Sequence, residues 1–356
     1  TTMNRGGLES MIMNYYRNID RTKIQFDFLI HRMQTSDFEE EIKSMGGRVF
    51  HLPNLNPFSK NYMNSLADFF NKHSSDYKIV HCHLDCMSAI PLKIAQKAGI
   101  PIRIAHSHNS NQTVDLKYPL KLYYKNKINK VATHLFACSY DAGKWMFKND
   151  NFKVMPNAID SKKYVFNENK RKEYREKLKI DDEIVIGHIG RFDPQKNHKF
   201  LIDIFKEINT INSNTKLVLV GVGVLMDEIK SYVNELSLNE SVLFLGLRDD
   251  VPDLLQVFDV FLFPSLYEGL PVTLVEAQAA GLPCLISDKV PIECKITDLV
   301  YQLSLNDDIR LWAEKSLQLS KTLRQNTTYQ IEKAGYDIRS NAKKLQEFYL
   351  NFNEEN

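Results

Sequence analysis

Phe263-Pro-Ser-Leu-Tyr-Glu-Gly-Leu-Pro-Val-Thr-Leu-Val-Glu276 leaves an apolar strand, turns through Gly269 and Pro271 and enters a helix, with seven residues between its two carboxylates, Glu268 and Glu276. A carboxylate at a strand-to-helix turn can accept hydrogen bonds from hydroxyls, and the free N–H groups of the helix start attract an anion. Glu276 falls a little over two helical turns deeper, near the same face. Sugar hydroxyls, ribose hydroxyls and a diphosphate suit such a site.

The same strand-then-helix alternation runs along most of the chain and predicts βα units with parallel sheets, an α/β protein. Strands are expected at 24–30, 48–52, 79–83, 102–106 and 135–138, and again at 184–189, 217–220, 242–245, 260–263 and 284–286. Each is bounded by Gly, Pro, Asn or Ser. Two Rossmann-like lobes follow, because 356 residues exceed what one core usually holds. The expected division is 1–165, 166–335 and a C-terminal helix at 336–356, with Leu345, Phe348, Tyr349 and Phe352 on one side of that helix. Residues 1–160 carry 21 Lys and Arg against 14 Asp and Glu, a net +7, and the remainder carries 25 against 30, a net −5. In open α/β sheets ligands bind beyond the carboxyl ends of the strands, so a cleft between lobes is the expected site.

A charged fraction of 25% and a hydrophobic fraction of 43% describe an ordinary soluble globular chain. There is no apolar run of the roughly 20 residues that span a bilayer, and no secretory signal opens the sequence. Cys82, Cys86, Cys138, Cys284 and Cys294 mostly lie in apolar stretches, which fits a reducing cytoplasm.

Further segments carry chemistry. Gly190-Arg191-Phe-Asp-Pro-Gln-Lys196-Asn197 places two cations directly after a strand, where a diphosphate would need them. Gly6-Gly7-Leu8-Glu9 offers backbone that a phosphate can approach closely, although a bare Gly-Gly is most often a turn. Gly221 and Gly223 allow either a packing turn or a site role. His81 and His83 fall on one face of a strand beside Cys82 and Cys86, but no third ligand set at a metal spacing follows, so no metal is expected. Five lysines interleave with apolar residues in 117–130, which reads as a solvated helix or as a surface for anionic phospholipid. No nucleic-acid motif accompanies them.

Taken in order, the paired glutamates, the Arg191/Lys196 segment, the Gly6-Gly7 loop, the junction Pro156-Asn157-Ala-Ile-Asp160, Ala105-His106-Ser-His108-Asn109 and Gly281-Leu-Pro-Cys-Leu-Ile-Ser287 resemble the retaining GT-B glycosyltransferases that build bacterial exopolysaccharides and capsules from nucleotide sugars. The resemblance covers nearly the whole chain. It implies a GT-B fold whose C-terminal helix crosses back to the first domain, a nucleotide-sugar donor carried by UDP in preference to GDP or ADP, and a glycan or lipid-linked acceptor. It also implies independence from metals and cofactors. By matching motif position, Arg191 and Lys196 would stabilise the leaving diphosphate, Glu268 would hold donor-sugar hydroxyls and Glu276 the ribose. Gly269, Leu270 and Pro271 would line the sugar and phosphate pocket, Gly7 would approach the phosphate, and His106 would contact the reacting sugar, with His108 or Asn109 as substitutes. Gly246, Leu247 and Arg248 match the region that holds the base. Binding the diphosphate from both lobes would favour closure. The family's glycine loop follows a complete first strand, whereas five residues precede Gly6 here, so either an upstream extension of about one strand or an incomplete first sheet is expected, the former preferred because the loop needs a strand to hold it. A nucleotide-sugar epimerase or hydrolase, a synthase of a small soluble glycoside, and a noncatalytic scaffold stay open as alternatives.

Overall fold

The structure, a computed structural model, describes residues 2–4, 6–109 and 117–351. The chain divides into two compact units, Thr1–Ala158 with Ile338–Asn356, and Ile159–Asp337. The division falls a few residues before position 165. Ile159 already bridges to Asp337, and Tyr164 belongs to the second unit's core.

In the first unit, β1 (Phe28–Ile30) and β2 (Val49–His51) form a parallel pair. A separate parallel sheet runs β3 (Ile79–Cys82), β4 (Ile102–Ser107), β5 (His134–Ala137) and β6 (Lys153–Val154). The strand expected at 24–30 is shorter than its apolar pattern, because Lys23 and Ile24 donate their N–H groups back to the Asp20 carbonyl in a turn. Ile24 and Phe26 still pack on the core from outside the ladder. The two-residue β6 was not foreseen, being too short for any periodicity to register. The helix Ile338–Asn351 returns to this unit by burying Ile338, Ala342, Leu345 and Tyr349, a helical stripe packed against Met11, Tyr15 and Tyr16. Phe352 lies outside the described residues.

The second unit is a six-stranded parallel sheet in the order β12-β11-β10-β7-β8-β9, with β7 (Ile184–Ile189), β8 (Thr215–Val220), β9 (Val242–Phe244), β10 (Val260–Phe263), β11 (Cys284–Ser287) and β12 (Val300–Leu303). β10 and β11 are buried at every residue, which is why they read as unbroken apolar runs instead of alternating ones. Helices cover both faces. One core holds Leu274, Val275 and Leu254 and the other Leu201, Phe205 and Trp312, and each such fully buried side chain contributes roughly 1.5–3 kcal/mol. The edge strand β12 was not anticipated from its sequence.

Strand order fixes where a ligand can go. The chain builds outward from β7 through β8 to β9, then returns to the other side of β7 and builds β10, β11 and β12. The direction of winding therefore reverses between β7 and β10. Loops leaving the carboxyl ends of those two neighbours diverge and open a crevice, the usual ligand position of doubly wound sheets.

Candidate active site

Lys196 comes from the loop after β7 and Glu268 from the loop after β10, so the switch point brings them together. Lys196 Nζ lies 2.6 Å from Glu268 Oε1, with the two side chains 14% and 5% exposed. Gln195 Nε2 donates to Glu268 Oε2 at 3.1 Å and to the Tyr267 carbonyl at 2.9 Å, while the Leu266 N–H donates to the Gln195 carbonyl. Asn197 ties the same loops through the Pro264 carbonyl. Sequence reasoning passed over Gln195, although it sits beside Lys196 and fixes the carboxylate's second oxygen. Arg191 is exposed and its side chain has no ion-pair or hydrogen-bond partner among the described residues, which leaves its guanidinium available to an anion.

The loop that carries Arg191 is held by close packing. Gly221 adopts φ +134° and a Cβ there would meet the Gly190 carbonyl at 2.0 Å, while a Cβ on Gly223 would meet the Phe192 carbonyl at 2.3 Å. These glycines are packing turns that let the loop after β8 cross the clamp loop. Beneath it lie His188 and His198, both buried, with His188 Nε2 and both ring nitrogens of His198 without hydrogen-bond partners among the described residues. Burial holds both imidazoles neutral, His198 being pushed down to about 4.

Beyond Glu268 the backbone turns its donors loose. The N–H groups of Gly269, Leu270, Val272 and Thr273 have no hydrogen-bond partner among the described residues, and the helix Val272–Ala279 begins there. Such a run of donors at a helix start is an anion cradle. Leu270 and Pro271 themselves are buried, and the Pro271 carbonyl accepts from Leu274 N–H, so its part in a pocket is limited to the ring. Glu276 lies on the same helix, and its Oε1 accepts a 2.7 Å hydrogen bond from the Tyr164 hydroxyl. Burial raises the Glu276 carboxyl above the usual carboxylate range, and the Tyr164 bond works against that rise.

In the base region, Gly246 stands in the left-handed conformation at φ +65° with open space around it, and its carbonyl accepts from Gly221 N–H. Leu247 is exposed. Arg248 is engaged by Asp250, Nε to Oδ1 at 2.8 Å, so the main chain of 246–247 is the freer contact for a base.

The first unit holds the remaining candidates. Gly7 begins the helix Gly7–Asn18 and nothing lies within 4 Å of where its Cβ would be. His106 is the next-to-last residue of β4 and is 1% exposed; its Nε2 is buried without a hydrogen-bond partner among the described residues. Its Nδ1 lies 3.1 Å from His81 Nε2, and His83 Nδ1 lies 2.9 Å from His108 Nε2. Within each strand the rings stack, His81 on His83 at 4.3 Å and His106 on His108 at 4.2 Å. Burial drives all four pKa values below the ordinary histidine range, so the quartet is neutral at pH 7. The absence of a third ligand at a recognised spacing, read from the sequence, does not survive folding: nitrogens of His81, His83 and His106 lie within 4.8 Å of one another. A cation there would have to break the His81–His106 bond. Asp85, at φ +46°, holds the 108–109 turn through the His108 N–H and the Asn109 amide.

Comparison with known proteins places the chain in a family. Residues 170–320 match the family model Glycosyl transferases group 1. The putative glycosyltransferase EpsF of Bacillus subtilis strain 168 is 37% identical over 98% of this chain and 94% of its own length. The UDP-Gal:alpha-D-GlcNAc-diphosphoundecaprenol alpha-1,3-galactosyltransferase of Escherichia coli is 28% identical over 85% of this chain and 84% of its own. Among solved structures, Anabaena HepE in complex with UDP and glucose superposes with a TM-score of 0.81 at 17% identity, over 98% of this chain and 97% of that one. That likeness establishes the GT-B fold.

Proposed function

Because the chain belongs to the glycosyl transferases group 1 family and is a glycosyltransferase, we propose that it transfers a hexosyl or related unit from a nucleotide sugar, with UDP as carrier, to a lipid-linked or growing glycan in exopolysaccharide or capsule synthesis, with retention and without a metal. The observation that carries this reading is the Lys196–Glu268 pair at the switch point, 2.6 Å apart and beside unpaired backbone donors. Breaking the sugar–phosphate bond builds negative charge on a diphosphate, and prearranged cations and N–H groups stabilise that charge most. Lys196 has three donors, so one can stay on Glu268 while others reach phosphate. Glu268 is held to accept hydroxyls of the sugar.

Retention is carried over from the family resemblance, and the engagement of the Glu268 carboxylate is consistent with it. Glu268 is occupied by Lys196 and Gln195, and Glu276 by Tyr164. On this reading an oxygen of the departing diphosphate takes the acceptor's proton on the same face, while Glu268 and Glu276 hold hydroxyls. The UDP in HepE and the diphosphoundecaprenol in the galactosyltransferase's name support the choice of donor carrier and acceptor class.

Nucleotide sugars should be screened for binding, and the best then supplied with membrane extract, with the product's anomeric configuration read by NMR. Turnover of donor with no glycosylated product would favour the epimerase or hydrolase reading. The same assay in EDTA is expected to retain its rate within about twofold, because protein donors carry the charge that a metal would otherwise carry. Loss in EDTA that a divalent ion restores would overturn the metal-free route.

Contact with anionic membrane is proposed for the helices around 117–131, with one correction. Lys125 is buried, its Nζ 3.8 Å from the centroid of the Trp145 ring, and so belongs to the fold. Lys127 and Lys130 are exposed and Lys121 partly so. Replacing Lys121, Lys127 and Lys130 with Gln is expected to weaken binding to phosphatidylserine vesicles, each lysine contributing about 1 kcal/mol at low salt. Lys125→Gln should lower stability instead. Among the described residues no helix is long and apolar enough to cross a membrane.

A further inference from the structure

We propose that Tyr164 is a positioning residue for the nucleotide: its hydroxyl pins one oxygen of Glu276 so that the other is presented to the ribose hydroxyls. This rests on the reading of Glu276 as the ribose ligand. Tyr164 lies 112 residues before Glu276, on the segment just past the 3-10 turn Ser161–Lys163. It is 8% exposed and packs in the second unit's core.

Its backbone is fixed as firmly as its ring. The Tyr164 carbonyl accepts from Gln256 Nε2 at 3.2 Å, and that buried amide also donates to the Pro252 carbonyl at 2.8 Å and accepts the Asn167 N–H at 3.0 Å. The Tyr164 N–H donates to the Ser161 carbonyl. A rigid platform thus delivers the hydroxyl to Glu276 Oε1 at 2.7 Å.

The carboxylate depends on that one bond. Among the described residues Tyr164 is its sole hydrogen-bond partner, and no cation pairs with it. Glu276 Oε2 is left with unused acceptor capacity in a partly buried place, a cost that a ligand hydroxyl relieves. Tyr164 acts on the ionised form. Burial raises the Glu276 pKa and the Tyr164 bond lowers it, while Tyr164 is itself kept protonated by burial and by the nearby carboxylates of Glu276 and Asp160. Removing the hydroxyl therefore moves the Glu276 pKa upward, and the acid limb of nucleotide affinity moves to higher pH with it.

The test is calorimetric titration of UDP into the full chain from pH 5 to 8, for the native protein, Tyr164→Phe, Glu276→Gln and the double variant, with circular dichroism to verify folding. If GDP or ADP binds better, the series uses that nucleotide and its dideoxy form. Tyr164→Phe is expected to weaken binding about tenfold near neutral pH, as loss of a hydrogen bond to a charged group does. Its acid limb should shift upward, the donor KM should rise with kcat nearly kept, and the double variant should be no worse than Glu276→Gln alone. With 2′,3′-dideoxy-UDP the Tyr164→Phe penalty should vanish. Native pH dependence in Tyr164→Phe, or a penalty that adds to that of Glu276→Gln, would overturn the proposal. Glu276→Gln binding UDP like the native protein would instead remove the ribose reading itself.

Discussion

Lys196→Ala should lower sugar transfer by roughly a hundred- to a thousandfold while the second unit stays folded. The rate loss is that of removing one preorganised donor from the place where charge develops. Lys196 reaches the site from a loop locked by the Asp193 cap, by the left-handed Asn197 at φ +56° and by the Leu266–Gln195 bond, so the rest of the loop should hold its course without the side chain. The substitution also strips Glu268, 5% exposed, of its cation. A buried carboxylate without its partner costs a few kcal/mol. Gln195 would remain to hold its second oxygen, so the acceptor of the sugar hydroxyls would be less firmly placed. Single-turnover rates, with circular dichroism as the folding control, measure the loss. Near-native transfer by a folded Lys196→Ala protein would remove the clamp from the mechanism.

That pairing was only half legible in the sequence. Strand runs such as 260–263 and 184–189 announce buried parallel strands, and Gly-Pro punctuation marks the turns that follow. Which loops meet is a matter of strand order, and no local pattern encodes that β10 returns to lie beside β7. Motif resemblance supplied what periodicity could not. Tyr164 escaped for the same reason as Gln195: its role is a contact made 112 residues away, not a spacing. Lys125 was misjudged because charge periodicity cannot show that an ammonium is buried over Trp145. The histidines were visible two by two, at 81 and 83 and at 106 and 108. Their union needed the register that sets Cys82 opposite Ala105, carrying the flanking histidines into one stack.

That stack should make the first unit sensitive to acid. His81, His83, His106 and His108 are folded as neutral imidazoles, with His83 pushed down to about 3 by burial. His31, bonded to Tyr62, is pushed down to about 4. In the unfolded chain each would titrate near 6.5. The sign follows: below that value the unfolded state binds protons that the folded state refuses, so stability is full above about 6.5 and is lost as pH falls toward the folded pKa values. Each histidine removes roughly 1.4 kcal/mol per pH unit once well below 6.5. Several acting together over one to two units rival the roughly 5–15 kcal/mol that holds a typical domain. Asp85 and Tyr349 face the stack, and neither offers a cation-binding group beyond Asp85, whose carboxylate is spent on the 108–109 turn. Unfolding of the first unit near pH 5 is the expected result. The two tryptophans allow it to be read separately, since Trp145 lies in the first unit and Trp312 in the second. In a Trp312→Phe background, urea titrations followed by Trp145 fluorescence should show the midpoint falling steeply between pH 7 and 5.5. Substituting His83 and His108 with Asn should cost stability at pH 7 yet flatten that slope, because two of the refused protons are gone. A midpoint that stays constant from pH 7 to 5.5 would mean that the stack accepts protons when folded, and the neutral quartet would have to be abandoned.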